Sequence, residues 1–306
     1  MSSLNVNYES KLAGAQGLLV LFGSFFVLIV VASLIASSVN GLDFGDRNRL
    51  LISSAVQGVI AFFLPAWLAA RVSSGAPARL LGLESSVPVR TYLGVVIAFA
   101  IGLPAINQII VWNEGMHLPE SMGAVEKVLR QWEEANGGVA EKLLSTDTVW
   151  GLVSGILVVG LLTGFCEEIF FRGALQRMFG MCGLGSQWSV WLAAFIFSAV
   201  HFQFFGFVPR LLLGAFFGYL FLYSGSIWPG VAAHALNNSI VVVSYWLISR
   251  GVSTSDAGSI GVASDGSFPW VPLASAVALA IFFIFSWRYF FSINHKMYGK
   301  NRESGN

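Results

Sequence analysis

Residues 149–175 read VWGLVSGILVVGLLTGFCEEIFFRGAL, an apolar run interrupted near its end by Glu167, Glu168 and Arg172. A run of this kind exceeds the ~20 apolar residues that a membrane-crossing helix needs. Ionisable side chains at that depth are costly, so they face a protein interior, a partner or a water-filled pocket. On a helix, Glu168 and Arg172 are four residues apart with the acid N-terminal to the base, the better orientation for an ion pair. Glu167 is turned about 100° from Glu168 and lacks that partner. One acid is tied down and the other is free for chemistry.

The rest of the chain agrees with a membrane reading. Of 306 residues, 56% are hydrophobic and 11% are charged, against about 25% charged in an ordinary soluble domain. The expected fold is all-α, a polytopic membrane protein forming a single membrane-embedded domain over 1–306. Apolar runs place about eight transmembrane helices, near 12–39, 50–72, 91–112, 149–175, 188–205, 208–223, 231–249 and 271–293. The first is too long for a signal-peptide core of ~7–15 residues and reads as an uncleaved span. Pro104 is expected to kink the third. Residues 113–148 differ: they carry six glutamates, with Val125, Val128, Leu129 and Trp132 at helical spacing. This reads as an amphipathic acidic helix at the interface or capping the bundle. His117, in a Met-His-Leu-Pro turn, has no nearby partner in sequence and is taken as structural.

An even number of spans puts both termini on one side. That side holds ten of the 17 basic residues, among them Lys11, Arg71, Arg79, Arg90 and the tail residues Lys296, Lys300 and Arg302. The positive-inside rule then makes both termini cytoplasmic, in the inner membrane of a bacterial cell. No basic stripe with interleaved aromatics occurs, so nucleic acid is not an expected partner; the lipid bilayer is. Cys166 and Cys182 are too few for a disulfide framework or a thiolate zinc site. Cys166 abuts the acidic pair and reads as a small buried thiol.

Three further polar side chains lie in apolar runs: His201, then His234 and Asn238 one helical turn apart. Each costs several kcal/mol, about 2–7 for a neutral polar group, if buried without a partner. They are therefore expected to converge with Glu167, Glu168 and Arg172 on a polar cavity between the fourth, fifth and seventh helices. A carboxylate and an imidazole together can take a proton from water and make a nucleophile. A second imidazole and an amide N–H can donate to an oxygen that becomes negative. That set suffices for amide hydrolysis without metal or cofactor. Zinc held by Glu167, His201 and His234 is the chemically sensible alternative, and a proton-relay transporter or a non-catalytic immunity protein is a third. No His-Glu-x-x-His motif or Gly-x-Ser-x-Gly elbow is present.

At these residues the sequence resembles the CAAX-protease and bacteriocin-processing family (CPBP, or Abi), glutamate-dependent intramembrane proteases. The family pattern is Glu-Glu-x-x-x-Arg, Phe-x-x-x-His and His-x-x-x-Asn on separate helices. It is met by Glu167-Glu168…Arg172, Phe197…His201 and His234…Asn238, over about 149–249. The resemblance implies an endopeptidase acting on membrane-embedded or lipidated peptides or proteins. It implies Glu167 as general base with His201 as its partner, and His234 and Asn238 as the oxyanion hole. Glu168, Arg172 and Phe197 would hold the site together.

Overall fold

The computed structural model describes residues 2–39, 43–253, 257–263 and 267–290. The basic tail with Lys296, Lys300 and Arg302, and the end of the last predicted span, lie outside them. The described residues are helical and joined by short turns, as expected for an all-α polytopic membrane protein. In chain order the main helices are α1 (Ser2–Val39), α2 (Asp46–Ser73), α3 (Val89–Glu114), α4 (Gly123–Leu144) and α5 (Val149–Met181). They are followed by α6 (Ser186–Ala199), α7 (Phe207–Ser224), α8 (Trp228–Ser249) and α9 (Trp270–Phe290).

Among the described residues six helices are long and apolar enough to cross a membrane: α1, α2, α3, α5, α7 and α8. The remaining two of the eight predicted spans correspond to shorter helices. In α9 the apolar stretch is Trp270–Phe285. α6 has 14 residues, a rise of about 21 Å, less than the hydrocarbon thickness. It ends at Ala199, six residues before the predicted end, because the chain turns at Val200 and His201. His201 therefore sits on the turn between α6 and α7 and not inside a helix.

Local chemistry explains several element ends. α5 starts at Thr148, whose hydroxyl accepts the Gly151 N–H at 2.9 Å, satisfying one of the first-turn donors. α7 stops at Gly225, which takes the left-handed conformation (φ 65°) that a side chain would resist. α3 continues through Pro104, whose ring removes an N–H from the helix ladder. The Ser275 hydroxyl of α9 inserts there, accepting from Ala105 N–H at 3.2 Å and donating to Ile101 C=O. A neighbouring helix thus satisfies groups that would otherwise face hydrocarbon unpaired.

The amphipathic α4 has Glu126 in its first turn and Lys142 in its last, each favourable to the helix dipole. Its N-terminus is tied to the preceding turn. Glu126 accepts from Leu118 N–H at 2.8 Å and from Arg130 at 3.0 Å, and it lies 2.9 Å from His117 Nδ1. His117 thus does have a partner, nine residues along the chain, too far apart to read as a helical pair.

The main apolar core lies where α1, α2 and the second half of α5 meet α6 and the start of α8. It includes Leu21, Ala66, Ile169, Phe171 and Phe197. Rings of Phe25, Phe62, Phe170 and Phe171 contact one another with centroids 5.0–5.9 Å apart. A cavity of about 580 Å³ lies elsewhere, among α3, α7, α8 and α9. It is lined from α8 by Asn237, Val241 and Ser244, and neither His234 nor Asn238 borders it.

Candidate active site

α5 carries the acidic pair on one α-helical turn, Gly164–Glu168, between two wider π-helical stretches, Ile156–Thr163 and Ile169–Gln176. Such widenings are rare in general and frequent at functional sites. α5 lies against α8 along three glycines. A Cβ on Gly155 would meet Val242 Cγ1 at 2.9 Å, one on Gly160 would meet Ser239 Oγ at 2.6 Å, and one on Gly164 would meet Ala235 N at 3.3 Å. Small residues of this kind let membrane helices approach closely. Here they bring Glu167 and Glu168 up to His234, the residue before Ala235.

Glu168 is fully buried, and its Oε1 accepts from Arg172 Nη1 at 2.6 Å and from His234 Nδ1 at 2.9 Å. The i,i+4 pair expected from the sequence is present. Arg172 also donates from Nη2 to the Gly214 carbonyl of α7 at 2.9 Å. Its guanidinium lies 4.5 Å from the ring centre of Phe197 and 5.3 Å from that of Phe217, a cation–π cage inside the bundle. Glu168 Oε2 is buried with no hydrogen-bond partner among the described residues. It lies over Gly230, where a Cβ would stand 2.9 Å away.

Glu167 is differently placed. Its side chain keeps 12% of its surface exposed, and Oε2 lies 3.6 Å from His234 Nε2. His234 thus bridges the two acids, one through each ring nitrogen. Phe217 stacks on its face at 5.2 Å and Phe197 meets it edge-on at 5.8 Å. With Nδ1–H given to Glu168, Nε2 faces Glu167 either as an imidazolium donor or as a lone pair against a protonated acid.

His201 Nδ1 lies 2.7 Å from the Phe197 carbonyl. A carbonyl only accepts, so Nδ1 carries a proton, and when the ring is neutral its Nε2 is the basic nitrogen. Phe197 packs edge-on against His201 at 5.1 Å and so touches both histidines and Arg172. Asn238 donates Nδ2 to the Val159 carbonyl of α5 at 3.1 Å and accepts from Asn237 at 3.3 Å. That leaves one Nδ2–H of Asn238 uncommitted in these contacts.

Three charged or polar groups near the site were not singled out in the sequence: Arg210, Gln203 and Glu133. Arg210 donates to Gln203 Oε1 at 2.6 Å and is in electrostatic reach of Glu133, Glu167 and His201. A lone arginine within the apolar run 204–224 is the signal that marks it, since an intramembrane charge is a functional candidate by default. Cys166 is buried against Gly58. Among the described residues no three His, Cys, Asp or Glu side chains converge as metal ligands do.

The class these observations define is an all-α, multi-pass membrane protein whose core holds a carboxylate–imidazole–guanidinium cluster, drawn from α5, α8 and the α6–α7 turn. Within it, residues 149–240 match the family described as type II CAAX prenyl endopeptidase, Rce1-like. The resemblance read from the three motifs is matched by this segment, which contains every one of their residues. A curated relative, the uncharacterized protein YpbD of Bacillus subtilis (strain 168), is 26% identical over 109 residues. That alignment covers 34% of this chain and 51% of the relative. The chain thus spans about half the length of the curated relative that it matches. No solved structure matches the chain.

Proposed function

We propose that the protein is an intramembrane endopeptidase of the CAAX-protease type, hydrolysing peptide bonds of membrane-embedded or lipid-modified peptides or proteins without a metal. The observation that carries the reading is the unequal pair: Glu168 is fully buried and ion-paired, whereas Glu167 stays partly open beside an imidazole. A structural acid has no reason to be left this way, and a general base does.

In this mechanism Glu167, assisted by the basic Nε2 of His201, takes a proton from a water whose oxygen attacks the substrate carbonyl carbon. Negative charge moves to the carbonyl oxygen, where His234 and the free N–H of Asn238 donate to it. The tetrahedral intermediate then collapses. The C–N bond breaks, and the proton held by Glu167 passes to the leaving amine. Glu168 and Arg172 hold His234 and the α5–α7 contact in place, and Phe197 spaces the two histidines. In the same reading the termini and the Glu167 end of α5 lie at the cytoplasmic face of the cell membrane.

The test is cleavage of a pool of membrane-derived peptides by wild type and Glu167→Ala in lipid, read by mass spectrometry for new termini, with and without a chelator. Loss of cleavage in a folded variant, with no effect of chelator, is the expected result. Stoichiometric zinc and loss of activity on chelation would replace it with the zinc mechanism. An unfolded Glu167→Ala protein would return Glu167 to a structural role.

A further inference from the structure

His201 is held by a turn that has little strength of its own. The next residue, Phe202, has φ 52° and is 68% exposed. A bulky side chain in the left-handed region costs of order 1–3 kcal/mol and persists only where surrounding structure imposes it. What imposes it here comes from α3 and α4, both remote in sequence: Asn113 of α3 accepts from the Val208 N–H at 2.9 Å and donates to the Phe204 carbonyl at 3.4 Å. Glu133 Oε2 accepts the Phe205 N–H at 3.1 Å. The Arg130 guanidinium lies 3.9 Å from the centre of the Phe205 ring, and Trp132 meets Phe202 edge-on at 6.4 Å. Thus Arg130, Trp132 and Glu133 of α4, with Asn113 of α3, hold the segment that follows His201.

A second strand of contacts runs through Arg210. Its guanidinium packs on Gly206, where a Cβ would stand 3.3 Å from Nη2, and it donates to Gln203 of the same turn. Its Nη1 is buried without a hydrogen-bond partner among the described residues, and the charges of Glu133 and Glu167 act on it through space.

We propose that Glu133 of α4 is a positioning residue for His201, fastening the α6–α7 turn through the Phe205 amide. The inference rests on the catalytic role of His201 given above. It makes the amphipathic helix a working part of the site and not only an interfacial cap. A shift of His201 by ~1 Å is enough to lower turnover about a hundredfold.

The experiment labels the histidine ring nitrogens with ¹⁵N in the full chain in lipid nanodiscs. The protein has four histidines, so His201→Ala assigns the His201 signal. Glu133→Ala is expected to shift and broaden the His201 Nδ1–H resonance that reports its bond to Phe197 O. Glu133→Gln, which can still accept from the Phe205 amide, should give a smaller shift. Glu134→Gln, on the exposed neighbour, should give none. On a cleavable peptide, Glu133→Ala should lower kcat with KM little changed, and Glu133→Gln should rescue part of it. A His201 signal unmoved in Glu133→Ala, or moved equally in Glu134→Gln, overturns the proposal. If the wild type cleaves nothing, it is the protease reading that fails, and the ring spectra still decide whether Glu133 holds His201.

Discussion

Replacing Arg172 by methionine isolates the energetics at the centre of the site, because the methionine keeps the stem's packing and removes the charge. The side chains of Arg172 and Glu168 are 1% and 0% exposed, so solvent screening offers no discount. Three interactions vanish together: the 2.6 Å ion pair, the 2.9 Å bond to the Gly214 carbonyl, and the stacking on Phe197 and Phe217. Breaking a buried pair from one side costs about 3–5 kcal/mol, mostly because the surviving charge is left uncompensated. His234 Nδ1 still donates to Glu168 Oε1, which keeps the loss from exceeding that range. The double variant Glu168→Gln/Arg172→Met removes both charges and should lie within ~2 kcal/mol of wild type, since apolar replacement of a buried pair is often nearly neutral. Unfolding in mixed micelles, followed by tryptophan fluorescence, measures all four corners of the cycle. A single variant losing under ~1 kcal/mol, or a double variant as unstable as the sum of the singles, would refute a tightly coupled buried pair.

Other outcomes follow from the same contacts. Glu167→Gln should leave the unfolding midpoint near wild type while abolishing cleavage, whereas Glu168→Gln should lower both; equal stability losses would remove the distinction between the acids. Gly164→Leu should force α5 from α8, separate Glu167 from His234 and inactivate the protein, which a distance measured between spin labels on the two helices would register. Ser275→Ala should cost about 1–3 kcal/mol, the penalty for leaving a buried backbone group unpaired. The Glu126 carboxyl is held below its ordinary value of 4.5, chiefly by the Leu118 N–H and then by His117 and Arg130. Its contribution to stability is therefore complete above pH 4.5 and is lost as pH falls through the lowered value. Acid titration of Glu126→Gln should show a smaller acid-side loss of α4 order than wild type, by limited proteolysis.

The motif residues were legible because spacing alone relates them. Glu168 and Arg172 pair as a helical i,i+4 geometry demands, and His234 and Asn238 both turn toward α5. Legibility ended where tertiary contacts decide. Nothing between Ala199 and Gln203 is a glycine or proline, so the apolar run reads as unbroken helix. The break lies in the backbone of Phe202, beside a segment that α3 and α4 fasten. Glu133 and Arg210 belong to no spacing pattern, because the contacts that join them to the site span 72 residues in one case. His117 and Glu126 were missed likewise, being too far apart for a helical rule. The first helix reaches back to Ser2, through polar residues that hydropathy could not assign.

The two wide stretches of α5 set an angular phase for the whole helix. An ordinary helix advances about 100° per residue, whereas an i→i+5 turn takes up an additional residue before returning to the same direction. Residues 149–155, the acidic turn and residues 177–181 therefore sit on three offset registers. Deleting one residue from 156–163 would let the helix return to regular hydrogen bonding, a local gain in regularity. Because it removes the additional residue, it would largely keep the direction of Glu167 and Glu168 relative to the helix's first turns, whereas regular hydrogen bonding at unchanged length would swing them by about 100°. The deletion should therefore give a helix at least as regular as the original with its carboxylates still turned toward His234, and a regular stretch of the original length should aim them away. In this helix, backbone irregularity is what orients the acids.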